Sequence, residues 1–261
     1  VEEQRQLLVN SEEWYDEQRA IYEDSMAKKE MIHPVVEAIT ELNPTTKMFR
    51  LRLPPDRTLP FKAGQFVMVH VPKDGKLPSK AYSICSSPSE QGFIELCLNR
   101  IPSGYFSNYL CDLKGGEILP IKGPYGKFLL NETPVDDQIF VATGTGIAPI
   151  RSMIQHIFEK GTTRPVWLIF GIRFEHPILY EAEFREIAAR HPHFRFLPTV
   201  SRPKNWTGEV GHVQDTIKKY IFEPGNKDAY LCGLPQMVDE TKELFLQLGF
   251  KPEQIRTEKY L

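Results

Sequence analysis

The sequence has little of what builds a metal centre or a disulfide scaffold. It holds 4 cysteines in 261 residues (Cys85, Cys97, Cys111 and Cys232), and no two stand as C-x-x-C. That argues against a zinc ribbon and a thioredoxin-type redox motif. The C-x₄-C-x₂-C run of plant-type iron–sulfur proteins is missing as well. Histidines are scattered; His191 and His193 are the one close pair, expected in a polar loop, so no metal site is expected. No run of eighteen apolar residues occurs, so no transmembrane helix is expected. Neither charge sign dominates: the net charge of −2 argues against a general nucleic-acid binder. The start is acidic and polar, unlike the basic start and apolar core of a secretory signal. It opens on Val1 rather than Met, as a trimmed start would. Free thiols in a reducing, cytoplasmic setting are therefore expected. Internal repeats and low-complexity tracts are also absent.

What is present is ample apolar content, 41%, enough for a packed core of one large domain or two ordinary ones. Charge is uneven: residues 1–30 carry nine acidic and four basic side chains, a net −5, leaving +3 for the rest. A basic face toward an acidic partner is a weak expectation. Residues 10–29 read as a helix, with Asn10 and Glu13 as a capping box. Trp14, Tyr15, Ile21 and Tyr22 form a narrow stripe on it. Docking on the chain's own body is the favoured reading; self-association or a partner contact is the alternative.

From Pro34 onward the pattern becomes short apolar stretches separated by turns. Six strands are expected: Val35–Ile39, Lys47–Leu53, Gln65–Val71, Ala81–Cys85, Phe93–Asn99 and Glu117–Ile121. Such spacing predicts an antiparallel barrel or sandwich, with a helix at Phe106–Leu113 interrupting it. After Thr133-Pro134 strands alternate with helices. Strands are expected at Ile139–Ala142, Val166–Phe170, Phe194–Val200 and Ala229–Cys232. Helices are expected at Ile147–Phe158, Tyr180–Ala189, Val213–Ile221 and Met237–Leu248. That alternation predicts a parallel sheet covered on both faces. The expected class is β plus α/β: a helical extension over 1–33, a barrel over 34–134 and a Rossmann-like domain over 135–261, joined near Glu132–Asp136.

Residues 142–151 read Ala-Thr-Gly-Thr-Gly-Ile-Ala-Pro-Ile-Arg. Thr143, Gly144, Thr145 and Gly146 follow a strand and open a helix, whose free N–H groups suit an anion such as a pyrophosphate. Gly144 and Gly146 would let a ligand approach the backbone closely. A tight turn without a ligand is the plain alternative. Cys232 and Gly233 end another strand, which would face the same crevice. Tyr82 and Ser83 offer a flat ring and a hydroxyl, as a flavin needs near its reactive edge. Gly104, Tyr105, Phe106 and Ser107 open a second helix, while Lys80 and Arg100 supply charge. Each feature alone is common.

Their order is not common, and in it the chain resembles the ferredoxin–NADP⁺ reductase family over about residues 34–261. Lys80-Ala81-Tyr82-Ser83 resembles its R-x-Y-S flavin motif, and Gly104–Ser107 its G-x-x-S segment. Gly123-Pro124-Tyr125-Gly126 resembles its G-P-x-G turn, and Gly144–Arg151 its G-T-G-I-A-P-x-R motif. Cys232-Gly233 through Met237 resembles its C-G-x-x-x-M segment. The resemblance implies a barrel holding FAD and an α/β domain holding NADP(H) or NAD(H). It implies Tyr82 stacking on the flavin, Ser83 at its reactive edge, and Leu98, Arg100 and the Ser107 helix start in the flavin seat. It implies Ser83, Cys232, Glu258 and Tyr260 as the catalytic group, with Tyr260 covering the flavin until nicotinamide displaces it; a frayed tail is the alternative. Lys80 stands where the family has Arg and gives a point charge without the fork. Ser201 and Arg202 resemble its 2′-phosphate pocket, favouring NADP(H), although Trp206-Thr207-Gly208 departs from the plant-type pattern. A separate ferredoxin, flavodoxin or oxygenase component is the implied electron partner. An NADH-dependent reductase component and a non-catalytic nucleotide-binding docking module are the alternative readings.

Overall fold

The structure is a computed structural model and describes residues 29–131, 133, 135–175 and 177–260. The helix expected over 10–29 lies almost wholly outside these residues.

Six strands form the first half: β1 Val35–Asn43, β2 Thr46–Arg52, β3 Phe66–His70, β4 Ser79–Ser83, β5 Phe93–Asn99 and β6 Ile121–Tyr125. They make two three-stranded antiparallel sheets, ordered β1-β2-β5 and β4-β3-β6. Isolated bridges join the sheets: Ile84 to Leu96, Ile32 to Ile121 and Val35 to Ile118. Alternation along β2 and β3 sends Phe49, Leu51, Val67 and Val69 inward, where they meet Ile84, Ile94 and Leu96 in one buried cluster. The helix α1, Tyr105–Asp112, packs Leu110 and Cys111 on that cluster. It starts one residue before the expected Phe106.

The sixth strand is displaced from its expected place. Glu117–Leu119 forms only an isolated bridge to the start of β1, bonding Pro34 and Val36, while β6 runs through Gly123-Pro124. Proline cannot donate to a ladder, but β6 pairs with β3 alone, and an edge tolerates it.

The second half is a parallel sheet of β7 Asp137–Thr143, β8 Val166–Ile172, β9 Phe194–Val200, β10 Glu209–Val210, β11 Lys227–Gly233 and β12 Ile255–Lys259. Its order is β10-β9-β8-β7-β11-β12. Four helices cover it: α2 Ile147–Glu159, α3 Glu181–Arg190, α4 Val213–Tyr220 and α5 Pro235–Gln247. Along β7, Phe140 and Ala142 face the α2–α3 layer, while Ile139 and Val141 face the α4–α5 layer. Both faces are thus buried, so β7 reads as a continuous apolar run. The strands β10 and β12 were not anticipated. The alternation Ile255-Arg256-Thr257-Glu258-Lys259 is mostly polar because β12 is an edge.

The chain winds from β7 outward to β10, then returns to lay β11 on the other side of β7. The order therefore reverses between β7 and β11, and the crevice beyond their carboxyl ends is where such sheets hold ligands. The halves share core: Ala63, Cys85, Cys97 and Phe128 of the barrel are buried with Phe140, Met153 and Ile154.

Candidate functional site

The two chemical seats meet at the switch point. β12 lies parallel to β11 with Cys232 in register with Glu258, and the Tyr260 N–H donates to the Gly233 carbonyl at 2.9 Å. That anchor carries Tyr260 toward the barrel. Its hydroxyl donates to Ser83 Oγ at 2.6 Å, and Ser83 Oγ donates to Glu258 Oε1 at 3.3 Å. Ser83, Cys232, Glu258 and Tyr260 are therefore brought together, and the tail is tied rather than frayed. Burial pushes the Glu258 carboxyl up to about 7, with the Ser83 hydrogen bond pulling the other way. Burial, then the charge of Glu258, push the Cys232 thiol well above its ordinary value. Burial does the same to the Tyr260 phenol. The cluster has one group that titrates near neutrality, and it is Glu258.

The turn after β7 is built for closeness. A Cβ on Gly146 would lie 2.4 Å from the Cys232 carbonyl oxygen, and one on Gly233 2.3 Å from Thr143 Oγ1. Gly146 therefore serves the close approach of turn and strand end, a role the sequence reading did not give it. Gly144 differs: it has φ +55, and a Cβ there would meet nothing within 4 Å. Thr143 Oγ1 accepts the Leu234 N–H at 3.2 Å, joining the two strand ends. A cleft of about 1030 Å³ opens here, lined by Thr143, Gly144, Thr145, Gly233, Met237 and Tyr260 among others. It runs past Ser201 and Arg173 to the β1–β2 hairpin, whose Asn43, Thr45 and Thr46 also line it.

Arg202 is exposed and outside that lining, and its backbone N–H bonds the Arg173 carbonyl at 2.9 Å. Arg173, at the end of β8, was not singled out from the sequence. Its place at a strand's carboxyl end was the available signal.

On the barrel side Tyr82 is half-buried against the core cluster, and burial, then Cys111, push its phenol up. Lys80, one strand position from Ala81 on β4, is exposed and has no ion pair among the described residues. Arg100 is turned onto α1, donating to Asn108 Oδ1 at 3.0 Å and Asp112 Oδ1 at 2.7 Å. The Ser107 hydroxyl is spent locally: it accepts the Ile101 N–H at 3.0 Å and donates to the Gly104 carbonyl at 3.1 Å. What α1 offers is its N-terminal amides, since Gly104 brings no side-chain cap. Tyr105 is exposed beside a cleft of about 460 Å³, whereas Phe106 packs on the barrel core. Leu98 is 3% exposed inside that core, so its side chain is committed to packing rather than to a ligand.

These residues fit both groups. The uncapped α1 terminus and unpaired Lys80 suit phosphates beside the Tyr82 ring. The open Gly144 turn suits a pyrophosphate. Among the described residues no three His, Cys, Asp or Glu side chains gather as metal ligands. No helix there is long and apolar enough to cross a membrane.

Two nucleotide seats converging on one buried set of proton-bearing groups define a flavin- and nicotinamide-dependent oxidoreductase. Comparison with known proteins agrees. Residues 34–129 match the oxidoreductase FAD-binding domain, and residues 140–243 the oxidoreductase NAD-binding domain. Ferredoxin–NADP reductase B of Sorangium cellulosum is 30% identical over 243 residues, covering 90% of this chain and 100% of that protein. The reductase component of phenol 2-monooxygenase from a Pseudomonas is 36% identical over 220 residues, covering 82% of this chain and 61% of that protein. The chain thus spans about three fifths of that relative's length. A ferredoxin NADP⁺ reductase from Neisseria gonorrhoeae with bound FAD and NADP superposes with a TM-score of 0.78 at 22% identity, over 89% of this chain and 98% of that one. The chain belongs to the ferredoxin–NADP reductase family, a family of flavoprotein oxidoreductases.

Sequence reasoning missed one buried constellation. Arg151 pairs with Glu95 across the two halves and with Glu183 within the second half. A lone strand glutamate facing inward was the signal, since a carboxylate is rarely buried without a partner.

Proposed function

We propose that this chain passes electrons between NADP(H), in preference to NAD(H), and a separate one-electron carrier such as a ferredoxin or flavodoxin. When bound, the nicotinamide and FAD supply the redox chemistry: two electrons pass between them as a hydride, and the flavin can release them singly. The protein's share is to bind, orient and handle protons. The observation that carries this reading is the hydrogen-bonded run from Tyr260 through Ser83 to Glu258, closed by Cys232 and built from both halves. Tyr82 supports flavin stacking, with the division of labour falling near residues 132–136. Glu258, held up to about 7, is suited to hold a proton at Oε1 and exchange it with Ser83 Oγ. The raised Cys232 thiol stays protonated, which supports an orienting role rather than nucleophilic attack. The Ser201–Arg202 segment beside Arg173 favours a 2′-phosphate. Four unpaired thiols suit a reducing cytoplasm.

A second reading is supported by the phenol 2-monooxygenase relative: a reductase component serving one oxygenase, fed by NADH. Rapid mixing of the FAD-loaded protein with NADPH and NADH separately, without oxygen, tests both. Faster bleaching by NADPH supports the first reading and faster bleaching by NADH the second. No bleaching by either removes both.

A further inference from the structure

Arg151 closes the glycine-turn motif, yet it does not line the cleft. It lies on α2 with 8% of its surface exposed. Its Nη1 donates to the Cys85 carbonyl at 2.9 Å and to Glu95 Oε2 at 2.8 Å. Its Nε donates to both carboxylate oxygens of Glu183, at 3.0 and 2.8 Å. The guanidinium carbon sits 4.7 Å from the centre of the Tyr180 ring. Next to it, Ser152 Oγ donates to the Ser86 carbonyl at 2.6 Å.

Three pieces of the molecule meet on this one side chain. Helix α2 begins at the nucleotide turn, and Arg151 is five residues past Gly146. Tyr180 and Glu183 open α3, directly after the loop whose Arg173, Phe174 and Pro177 line the cleft. Cys85 follows the Ser83 strand by two residues, and Glu95 sits on β5 opposite it, with Cys85 N–H donating to the Glu95 carbonyl at 2.8 Å. Tyr180 is held at φ 56, left-handed for a bulky residue, with its hydroxyl 3.7 Å from Cys85 Sγ. Such a conformation persists only where the surroundings over-determine it.

Stability alone is a poor reason for this arrangement. A buried ion pair repays little more than its desolvation, and well-packed apolar side chains of like volume often do as well. What the guanidinium fork adds is geometry, since its donors fix direction on several partners at once.

We propose that Arg151 is a positioning residue that fixes the register between the glycine turn of the nucleotide half and the Ser83 strand of the flavin half, and so sets how nicotinamide reaches the Ser83–Cys232 cluster. This rests on reading that cluster as the place where nicotinamide meets flavin. Misplacing reacting groups by about 1 Å costs on the order of a hundredfold in rate, so a slackened joint is felt in turnover before it is felt in binding at the adenosine end.

The test uses Arg151→Met, which removes the charge, and Arg151→Lys, which keeps a charge but loses the fork. Three quantities are measured on each: calorimetric unfolding without nucleotide, affinity for 2′,5′-ADP, and the single-turnover rate of flavin bleaching at saturating NADPH per bound flavin. We expect 2′,5′-ADP affinity within about twofold of the parent and bleaching at least about tenfold slower in both variants. We also expect one unfolding transition in the parent and two in the variants. A folded variant that bleaches within about twofold of the parent rate overturns the proposal, whatever its melting temperature. If Arg151→Met does not fold, Arg151→Lys decides. If the parent is bleached by neither nucleotide, the functional reading falls, while an unsplit transition in the variants would sink the joint independently.

Discussion

The two ends of the cleft differ in how much of their bonding is already made. At the switch point, Tyr260, Ser83 and Glu258 are hydrogen-bonded to one another, and Cys232 is buried across the strand pair from Glu258. At the far end Arg173 lines the cleft, and Arg202 lies exposed just outside it, its guanidinium without a hydrogen bond or ion pair among the described residues. A site that must align reacting groups gains from being formed beforehand. A site that selects among related ligands can leave its charges for the ligand to pair. On the proposed reading the first end aligns the reacting groups and the second selects between NADP(H) and NAD(H).

The largest expected effect breaks the barrel's side of the chemistry end. Tyr82→Ala removes both the stacking face and packing on the barrel core. Loss of one stacked ring is worth about 1–3 kcal/mol, as for a base on an aromatic side chain, so the flavin dissociation constant should rise about tenfold to a hundredfold, read by fluorescence titration of the apoprotein. An unchanged constant would detach Tyr82 from the flavin.

Next in size is Glu258→Gln, which tests whether the prebuilt cluster carries a stability cost. The native carboxyl is held up to about 7, above the ordinary carboxylate value of about 4.3 in the unfolded chain. The native state therefore binds more protons through that window, and stability falls as pH rises from about 4.5 to 7. The flavin-free Gln variant should lack that fall. It should exceed the parent by about 2 kcal/mol at pH 8, allowing for partial exposure, and by little at pH 4. Parallel urea-unfolding curves across pH check this, and an identical slope in both proteins would contradict it.

The adenosine end should respond more weakly and more selectively. Arg202→Leu should lower the preference for NADPH over NADH about tenfold, the worth of one charge-assisted contact, in steady-state kinetics with each nucleotide. If Arg173→Leu produces that shift and Arg202→Leu does not, the contact belongs to the end of β8. The smallest effect is at Tyr260. If Tyr260 covers the flavin face that nicotinamide needs, Tyr260→Ser removes a competitor, and NADP⁺ should bind about threefold to tenfold tighter by flavin difference spectra. Unaltered affinity would mean that Tyr260 does not stand in the nicotinamide's way.

The sequence made the repetitive parts of this molecule legible and left its joints obscure. The apolar run Ile139–Ala142 and the helix Ile147–Phe158 declared themselves because both are periodic and buried. The β7-to-α2 turn and the Tyr82-Ser83 pair are each common alone, and they were read through their order along the chain with the other motifs. β12 was not readable, because an edge strand need show only half an apolar pattern. β6 slipped because Gly123-Pro124 reads as a turn, and only its place at the sheet margin lets a strand run through it. Arg202 was readable as a charge beside a strand end, but the neighbouring Arg173 reaches the cleft, since strand direction rather than residue type decides what lines it. Least legible was the Arg151–Glu95 contact, whose partners are far apart in the chain and join only when the halves do.

A crystal structure of Tyr260→Ser with FAD and NADP⁺ tests the central claim most directly. The account predicts the nicotinamide ring against the flavin, flanked by Ser83 and Cys232, with the pyrophosphate on the Gly144 turn. A dinucleotide held on that turn with its nicotinamide directed into solvent, away from Ser83, would contradict it.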